Sequence, residues 1–304
     1  MLILNSPYQS LLNYNKKKYV KIFLRVIISI NNNSSKISKG DIIQAIKDEY
    51  LQLKPKNKNI FVHKDANIGK NCKFGFNIVI ESKTEIGDDC YFGNNIVIKE
   101  GAILDNKLEI QDNVVIGKQP RSSPISSRKV SKETLIAKIG YGTLIGTSSI
   151  IYGGTEIGNN CFIGDLASIR EKCKIHDFVI IGRGTTIEYE TEILSHTKIQ
   201  TACHLTGNSI IGRYVFFGAE VCTMNDKYMD TTDYVFKGPT IKDGALIGCN
   251  ATILPALTIG IDSVIGAGSV VTKDVPDRQI WVGNPAKYLK DVPQERWLNN
   301  RINN

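Results

Sequence analysis

Two short segments of the chain gather side chains that can bind anions or orient polar groups. The first, 118–134, reads KQPRSSPISSRKVSKET, and its charged residues are Lys118, Arg121, Arg128, Lys129, Lys132 and one acid, Glu133. Arginine forks bind phosphate oxygens in pairs, so Arg121 and Arg128 predict a phosphate clamp unless the segment is an ordinary solvated loop. It holds no aromatic residue, and this disfavours single-stranded nucleic acid as a partner.

The second segment, 223–240, reads TMNDKYMDTTDYVFKGPT and contains no histidine. Its adjacent Asn225 and Asp226 either meet a substrate or form an Asx turn that stabilises the loop. The histidines of the chain lie elsewhere, at His63, His176, His196 and His204. Loops held on a rigid framework often carry binding and catalytic groups, so 223–240 is the leading candidate site.

A strict six-residue repeat surrounds both segments. Bulky apolar residues recur at every sixth position over 62–116, 139–217 and 241–271, which gives ten, fourteen and six hexapeptides. A period of six matches neither an α-helix nor a simple alternating strand, whereas it suits short strands joined by tight turns. The sequence therefore predicts an all-β solenoid from which the two segments are expelled as loops.

Two further positions of the repeat carry structural information. Glycine often follows the apolar residue, and we expect it to take positive φ at a corner. The residue two places before the apolar position is small and should also face inward, because strand side chains alternate. Five cysteines occupy that inner position, where a free thiol fills space as a compact hydrophobe; they are Cys72, Cys90, Cys161, Cys173 and Cys203.

The composition describes an ordinary globular chain. Of 304 residues, 42% are hydrophobic and 22% charged, and the net charge of +8 suits an anionic partner. Seven cysteines are too few for a disulfide scaffold, so a cytoplasmic location is expected. The apolar stretch at 20–30 is too short to span a membrane and contains Lys21 and Arg25.

The segments outside the repeat predict caps at the two ends of the solenoid. Residues 1–60 form an N-terminal segment with a helix at about 41–53, which Pro55 ends. The solenoid domain covers 61–290, and a tail at 291–304 follows it. A short helix is expected at about 293–298.

Four stretches resemble a known family. The tail from 265 to 287, IGAGSVVTKDVPDRQIWVGNPAK, is similar to the last coil of acetyl-CoA-dependent hexapeptide-repeat acyltransferases, and GNPAK at 283–287 is its most specific motif. The stretches from 198, at 224–229 (MNDKYM) and at 237–253 resemble nucleotide-sugar N-acetyltransferases within that superfamily. The resemblance implies a left-handed parallel β-helix with three hexapeptides per coil and about ten coils. It also implies a homotrimer that binds acyl-CoA between subunits.

The same resemblance implies site residues. Gly248, Ala267 and Gly268 would lie against the pantetheine arm, while Lys273 and Lys287 would meet the phosphates of CoA. Their alternatives are corner glycines, a packing residue and surface lysines. In the second loop, Asn225 and Asp226 would orient an amine or accept its proton, and Lys227 and Tyr228 would contact the substrate.

With three hexapeptides per coil, His204 is the best candidate for a general base. It precedes the inward Leu205, so its side chain points outward, and it lies one coil before Cys222 at the start of the second loop. Successive histidines are separated by 113, 20 and 8 residues. None of these intervals is a whole number of coils, so no metal site is expected.

The sequence thus predicts an acetyl-CoA-dependent N-acetyltransferase acting on an amino group of a dTDP- or UDP-linked deoxyamino sugar. A neutral amine is already nucleophilic, so it needs less activation than an alcohol. The second loop lacks the histidine that O-acetyltransferases of this superfamily carry. Two alternatives stay open, an O-acetyltransferase of a small hydroxyl acceptor and a noncatalytic β-solenoid scaffold.

Overall fold

The computed structural model describes residues 50–52, 59–126, 128–130 and 133–302. Strand β1 (Tyr50–Gln52) lies at the end of a unit that is separate from the unit containing the solenoid. The end of the predicted helix at 41–53 is therefore wrong, because Tyr50–Gln52 is extended. The rest of that helix, at 41–49, lies outside the described residues.

Short strands from residue 60 onward form the three faces of a solenoid, named A, B and C. Face A consists of β2 (Ile60–His63), β5 (Ile78–Ile80), β8 (Val97–Ile98), β11 (Val115–Lys118), β14 (Ile150–Tyr152), β17 (Ser168–Ile169), β20 (Thr186–Ile187), β23 (His204–Leu205), β26 (Cys222–Thr223), β29 (Thr252–Ile253) and β32 (Val270–Val271). Face B consists of β3 (Asn67–Ile68), β6 (Glu85–Ile86), β9 (Ile103–Leu104), β12 (Lys138–Ile139), β15 (Glu156–Ile157), β18 (Lys174–Ile175), β21 (Glu192–Ile193), β24 (Ile210–Ile211), β27 (Thr240–Ile241) and β30 (Thr258–Ile259). Face C consists of β4 (Lys73–Phe74), β7 (Tyr91–Phe92), β10 (Glu109–Ile110), β13 (Leu144–Ile145), β16 (Phe162–Ile163), β19 (Ile180–Ile181), β22 (Lys198–Ile199), β25 (Phe216–Phe217), β28 (Leu246–Ile247), β31 (Val264–Ile265), β33 (Gln279–Gly283) and β34 (Ala286–Asp291).

Successive coils stack in parallel, and each coil is three hexapeptides long. Ile169 pairs with Ile187, and Ile187 pairs with Leu205, so the apolar residues of each face form inward columns. These columns are almost fully buried and make one continuous core. The solenoid, its three-hexapeptide coil and its inward isoleucines are confirmed.

Except for Gly117 (φ 81°), the glycines that follow the apolar residues do not take positive φ, so that expectation is wrong at the other corners. Positive φ occurs two residues later at each of these corners, for example at Asn71 after Gly69 and at Asn160 after Gly158. The glycines are needed for close approach instead. A Cβ on Gly182 would lie 2.5 Å from the carbonyl carbon of Gln200 in the next coil. The corners stack too tightly for a side chain at this position.

The small inner position faces the core, as predicted, and its polar atoms are satisfied. The hydroxyls of Thr143 and Ser149 each donate to a carbonyl of the following coil at 2.9 Å. Burial raises the pKa of the Cys90 and Cys161 thiols to about 11 and that of Cys173 to about 12. These thiols stay protonated at neutral pH, which agrees with their predicted role as core filler.

At the C-terminal end, β33 and β34 form an antiparallel hairpin beside β31. A 3-10 helix (Gln294–Arg296) and helix α1 (Leu298–Arg301) follow, so the predicted helix at 293–298 begins as a 3-10 turn. Helix α1 contacts a corner of the solenoid, where the Leu298 amide donates to Asp262 Oδ1 at 2.7 Å. No helix in the described ranges combines the length and the apolar character needed to cross a bilayer.

Candidate active site

Both insertions leave the solenoid from the same edge of face A. The first follows Lys118 at the end of β11, and the second follows Thr223 at the end of β26. Five coil spacings, roughly 24 Å, separate these two strands. The edge between them, the AB corner, carries Glu171, Tyr189 and Gly207 at successive steps of one coil.

His204 lies on the outer side of face A, one coil before the second insertion. Its Cα pairs with that of Cys222, which confirms the predicted separation of one coil. The half-buried imidazole is held from the coil below, where its Nδ1 lies 2.7 Å from Thr186 Oγ1. If Nδ1 donates this hydrogen bond, Nε2 is the basic nitrogen.

Asn225 folds back onto the AB corner at the base of the second insertion. Its Nδ2 donates to the Tyr189 hydroxyl at 3.2 Å and to the Gly207 carbonyl at 3.3 Å. Within the described ranges, no group donates a hydrogen bond to its Oδ1. The amide is therefore fixed at its nitrogen, while its oxygen is available as an acceptor.

Asp226 stabilises the loop itself. Its carboxylate accepts hydrogen bonds from the amides of Tyr228, Met229 and Asp230 at 2.7 to 2.9 Å. This is the Asx-turn arrangement that the sequence left open. The exposed Lys227 and Tyr228 lie at the same turn, and the Tyr228 ring packs edge-on against Tyr234.

Arg128 of the first insertion lies on the AB corner. It pairs with the carboxylate of Glu171, whose side chain is 1% exposed, and its guanidinium lies 3.6 Å from the centre of the Tyr189 ring. Arg170 also binds Glu171 at 2.9 Å. Burial would raise the pKa of Glu171, but the two arginines outweigh it and hold the pKa below its ordinary value. Arg121 is exposed.

The predicted acyl-donor residues lie around the last strands of face A. Gly248 and Ala267 stack at the corner between faces C and A, where a Cβ on Gly248 would be 2.5 Å from the Ala267 nitrogen. Gly268, at φ 67°, has open space where a Cβ would be. Lys287 lies on β34, whereas Lys273 follows β32 at the opposite edge of face A, so the two lysines do not share a corner.

Apart from Lys118 at the end of β11, the outward side chains of face A carry no charge from β5 to β32. The uncharged ones are Val79, Val97, Val115, Ile150, Tyr152, Ser168, Thr186, His204, Cys222, Thr252 and Val270. Face B, in contrast, presents a charged residue on half of its strands, including Lys138, Glu156 and Lys174. Face A thus carries less charge than face B.

The described part of the chain brings no three His, Cys, Asp or Glu side chains together in a way that could hold a metal ion. All seven cysteines are free thiols, and Cys249 is the exposed one.

Sequence reasoning missed Thr186, Glu171 and Tyr189. A signal was present, because stepping back from Asn225 one coil at a time gives Gly207, Tyr189 and Glu171. The same step from His204 gives Thr186. Groups on one column of a solenoid become neighbours, so this interval identifies the partners of any candidate residue.

Two family models match the chain. The bacterial transferase hexapeptide (six repeats) matches residues 154–189, and the hexapeptide repeat of succinyl-transferase matches 66–100, 136–164 and 240–273. The matched residues lie on the stacked coils and include Thr186, Glu171 and Tyr189. The solenoid is thus a left-handed parallel β-helix built from transferase hexapeptides.

Curated relatives include the bifunctional protein GlmU. The protein from a Geobacillus species is 32% identical over 193 residues, which is 63% of this chain and 37% of that protein. The one from Thermotoga petrophila is 31% identical over 186 residues, or 51% of this chain and 40% of that protein. The chain spans less than half the length of these relatives.

Similar solved structures are acyltransferases. A variant of AntD, an N-acyltransferase from Bacillus cereus in complex with dTDP and coenzyme A, is 21% identical with a TM-score of 0.37, covering 52% of this chain and 85% of that chain. LpxA, a UDP-N-acetylglucosamine acyltransferase from Bacteroides fragilis, is 18% identical with a TM-score of 0.44, covering 78% of this chain and 74% of that chain.

Proposed function

Since the chain belongs to the hexapeptide-repeat transferases, we propose that it is an acetyl-CoA-dependent N-acetyltransferase acting on an amino group of a dTDP- or UDP-linked deoxyamino sugar. The observation that carries the proposal is the placement of His204, which faces outward beside the second insertion with its Nδ1 held by Thr186. A single fixed imidazole next to an expelled loop is suited to proton transfer during acyl transfer. The free thiols suit a cytoplasmic location.

The acyl donor would enter from the last coils. Ala267 and Gly268 offer exposed backbone without bulky side chains, and Gly248 beneath Ala267 is half-buried; this surface suits an extended pantetheine arm. Three coil spacings, roughly 14 Å, separate the strand beside Gly268 from that of His204. The arm would bring the thioester along face A toward the imidazole. Lys273 and Lys287, both exposed, are available to the phosphates of CoA.

The chemistry is attack of a neutral amine on the thioester carbonyl. A C–N bond forms, the C–S bond breaks, and CoA leaves as the thiolate. An amine with a pKa near 8, as for an α-amino group, is partly neutral at cellular pH. Asn225 Oδ1 would accept one N–H of the amine, and His204 Nε2 would take the proton lost after attack. Orientation of the two reactants supplies much of the rate.

The outer side of face A, on which Lys118 at the end of β11 is the charged residue, supports a homotrimer as part of this proposal. An outer row of Val, Ile, Ser, Thr, His and Cys can be covered by another subunit without burying an unpaired charge. Acyl-CoA would then bind in the groove between neighbouring subunits. Lys227 and Tyr228 would contact the nucleotide sugar from the exposed loop, and Arg121 remains the arginine free to meet phosphate.

One alternative has an observation in its favour. The contact between His204 and Thr186 would also prepare the imidazole as the base that an alcohol requires, so O-acyl transfer is the second candidate. N-acyl transfer and O-acyl transfer differ only in the acceptor atom, nitrogen or oxygen.

The test is a screen of amino sugars linked to UDP or dTDP, with acetyl-CoA as donor and release of free CoA thiol as the readout. Each amino sugar is paired with the same sugar carrying a hydroxyl in place of the amine. Turnover of the amine alone supports the proposal. Turnover of the hydroxyl analogue alone supports O-transfer. Absence of both turnover and thermal stabilisation by acetyl-CoA would refute acyl transfer.

A further inference from the structure

The Tyr189 ring is enclosed on both faces by groups from different parts of the chain. The Arg128 guanidinium covers one face at 3.6 Å from the ring centre. Gly207 of the next coil lies under the ring, since a Cβ there would be 2.7 Å from its Cε2 and Cζ atoms. Only glycine leaves room for the ring at this step of the column. Tyr189 therefore has one packed orientation.

The hydroxyl of the same ring holds the second insertion. Asn225 Nδ2 donates to it at 3.2 Å, and the Asn225 carbonyl accepts a hydrogen bond from the Lys237 amide at 3.0 Å, which joins the two ends of the loop. Asn208 adds a bond to the Phe236 carbonyl at 2.9 Å. The base of the second insertion is thus fastened to the corner at which Tyr189 lies.

Arg128 is fixed from the other side. Its partner Glu171 is buried, and Glu190 lies 3.7 Å from its Nη2. A guanidinium whose charge is met by a buried carboxylate and whose face covers a ring is poorly placed to bind phosphate as well. This arrangement argues against the phosphate clamp expected for Arg128 and leaves it a role inside the protein.

We propose that Tyr189 is a positioning residue for Asn225, and that Arg128 holds Tyr189 in place so that the first insertion sets the geometry of the second. This rests on the proposed function only for its kinetic consequence. The contact between Tyr189 and Asn225 also predicts how often the second insertion opens, and this prediction does not depend on the substrate.

The first test needs no substrate. Tyr189→Phe removes the hydroxyl and keeps the ring, and Tyr214→Phe is the matched control because Tyr214 stacks on His196 at a different corner. Loss of one hydrogen bond is worth about 1 kcal/mol, so opening of the loop should become about fivefold more frequent. Trypsin cleavage after the exposed Lys227 should accelerate about fivefold in Tyr189→Phe and in Arg128→Gln. It should stay unchanged in the control.

The second test uses the acceptor found in the screen. Tyr189→Phe should lower kcat/KM for the amino sugar by about tenfold, because the Asn225 amide loses an anchor, a change of about 1.4 kcal/mol. The KM for acetyl-CoA should stay the same. In an Asn225→Ala background, Tyr189→Phe should cause no further loss of kcat/KM, since the two residues act as one unit.

These readouts separate the possible failures. Equal cleavage rates in Tyr189→Phe and Tyr214→Phe would overturn the proposal even if no acceptor is ever found. Faster cleavage with unchanged kinetics, or additive losses in the double variant, would make Tyr189 merely structural and overturn the positioning role. Failure of the amino-sugar screen with faster cleavage would leave the contact established and reject the proposed function instead.

Discussion

The buried carboxylate of Glu171 offers a sharp test of how the first insertion is attached. Glu171→Gln keeps the shape of the side chain and removes its charge. Arg128 and Arg170 would then face a neutral amide, and each is only about a quarter exposed. Removing one partner of a buried ion pair leaves an uncompensated charge, which is the costly outcome.

The size of the effect follows from burial. Breaking a fully buried pair costs about 3 to 5 kcal/mol, but partly exposed arginines recover some hydration. We therefore expect Glu171→Gln to lower the free energy of unfolding by about 2 to 3 kcal/mol. The control is Glu192→Gln, because Glu192 pairs with His176 at 2.9 Å and its side chain is 41% exposed. An exposed pair is worth less than about 1 kcal/mol.

Urea denaturation followed by circular dichroism measures the unfolding free energy of both variants. Repeating it at several pH values tests whether the stabilisation comes from the charged form of Glu171. Burial opposes ionisation of Glu171, but the two arginines outweigh it and hold the pKa below its ordinary value of 4.5. The charged form therefore stabilises the fold at neutral pH, and this stabilisation is lost as the pH falls below about 4.5 through the folded-state pKa. A Glu171→Gln protein as stable as wild type at pH 7, or a deficit that grows on acidification, would refute the reasoning.

Three further outcomes are expected. Gly182→Ala should lower the unfolding free energy by about 3 kcal/mol, because its Cβ would clash with the backbone of the next coil. Gly184→Ala should lower it by only about 1 kcal/mol, because Gly184 has open space and only its φ of 66° is unfavourable for alanine. Calorimetry showing the reverse order would contradict the corner geometry. A thiol reagent should modify Cys249 rapidly and the buried cysteines only after unfolding, so Cys249→Ser should abolish the fast phase. His204→Ala should reduce kcat for the amino sugar by about 100-fold with residual turnover from orientation, and a dead enzyme that still binds both substrates would show an essential base instead.

Most of the fold could be predicted from the repeat, because every hexapeptide contains one bulky apolar residue that must be buried. An isoleucine such as Ile169 or Ile187 at every sixth position can be buried only if the chain turns after each short strand, so strands, corners and core follow together. The inner cysteines were predictable for the same reason. The region before residue 60 lacks that redundancy, and apolar spacing at 41–53 predicted a helix that Tyr50–Gln52 does not form.

The glycines show where periodicity misleads. A recurrent glycine indicates a special demand of the backbone, but not whether the demand is positive φ or lack of space. At Gly69 and Gly158 it is space, because coils stack about 4.8 Å apart, and positive φ falls to Asn71 and Asn160 two residues later. Asparagine tolerates this conformation, so the corner uses two residue types for two separate tasks.

The contacts of the candidate site escaped prediction for a different reason. Positions within the solenoid are related by a fixed step of one coil, so the partner of His204 at Thr186 can be read from the numbers alone. Arg128 lies in an insertion that has no register, and its partner Glu171 is 43 residues away. Only the folded loop reveals that pair.

The position of the insertions gives the solenoid its functional asymmetry. Both leave the chain at the end of a face A strand, so both lie along the AB corner while the other corners stay short. Coils between them cannot shift, because each is hydrogen bonded to two neighbours over three faces. A loop fastened to such a column inherits its rigidity, which is what a group that orients a substrate requires. Tyr189 and Gly207 lie on that column between the two loops, so both loops are attached to the same rigid part of the solenoid.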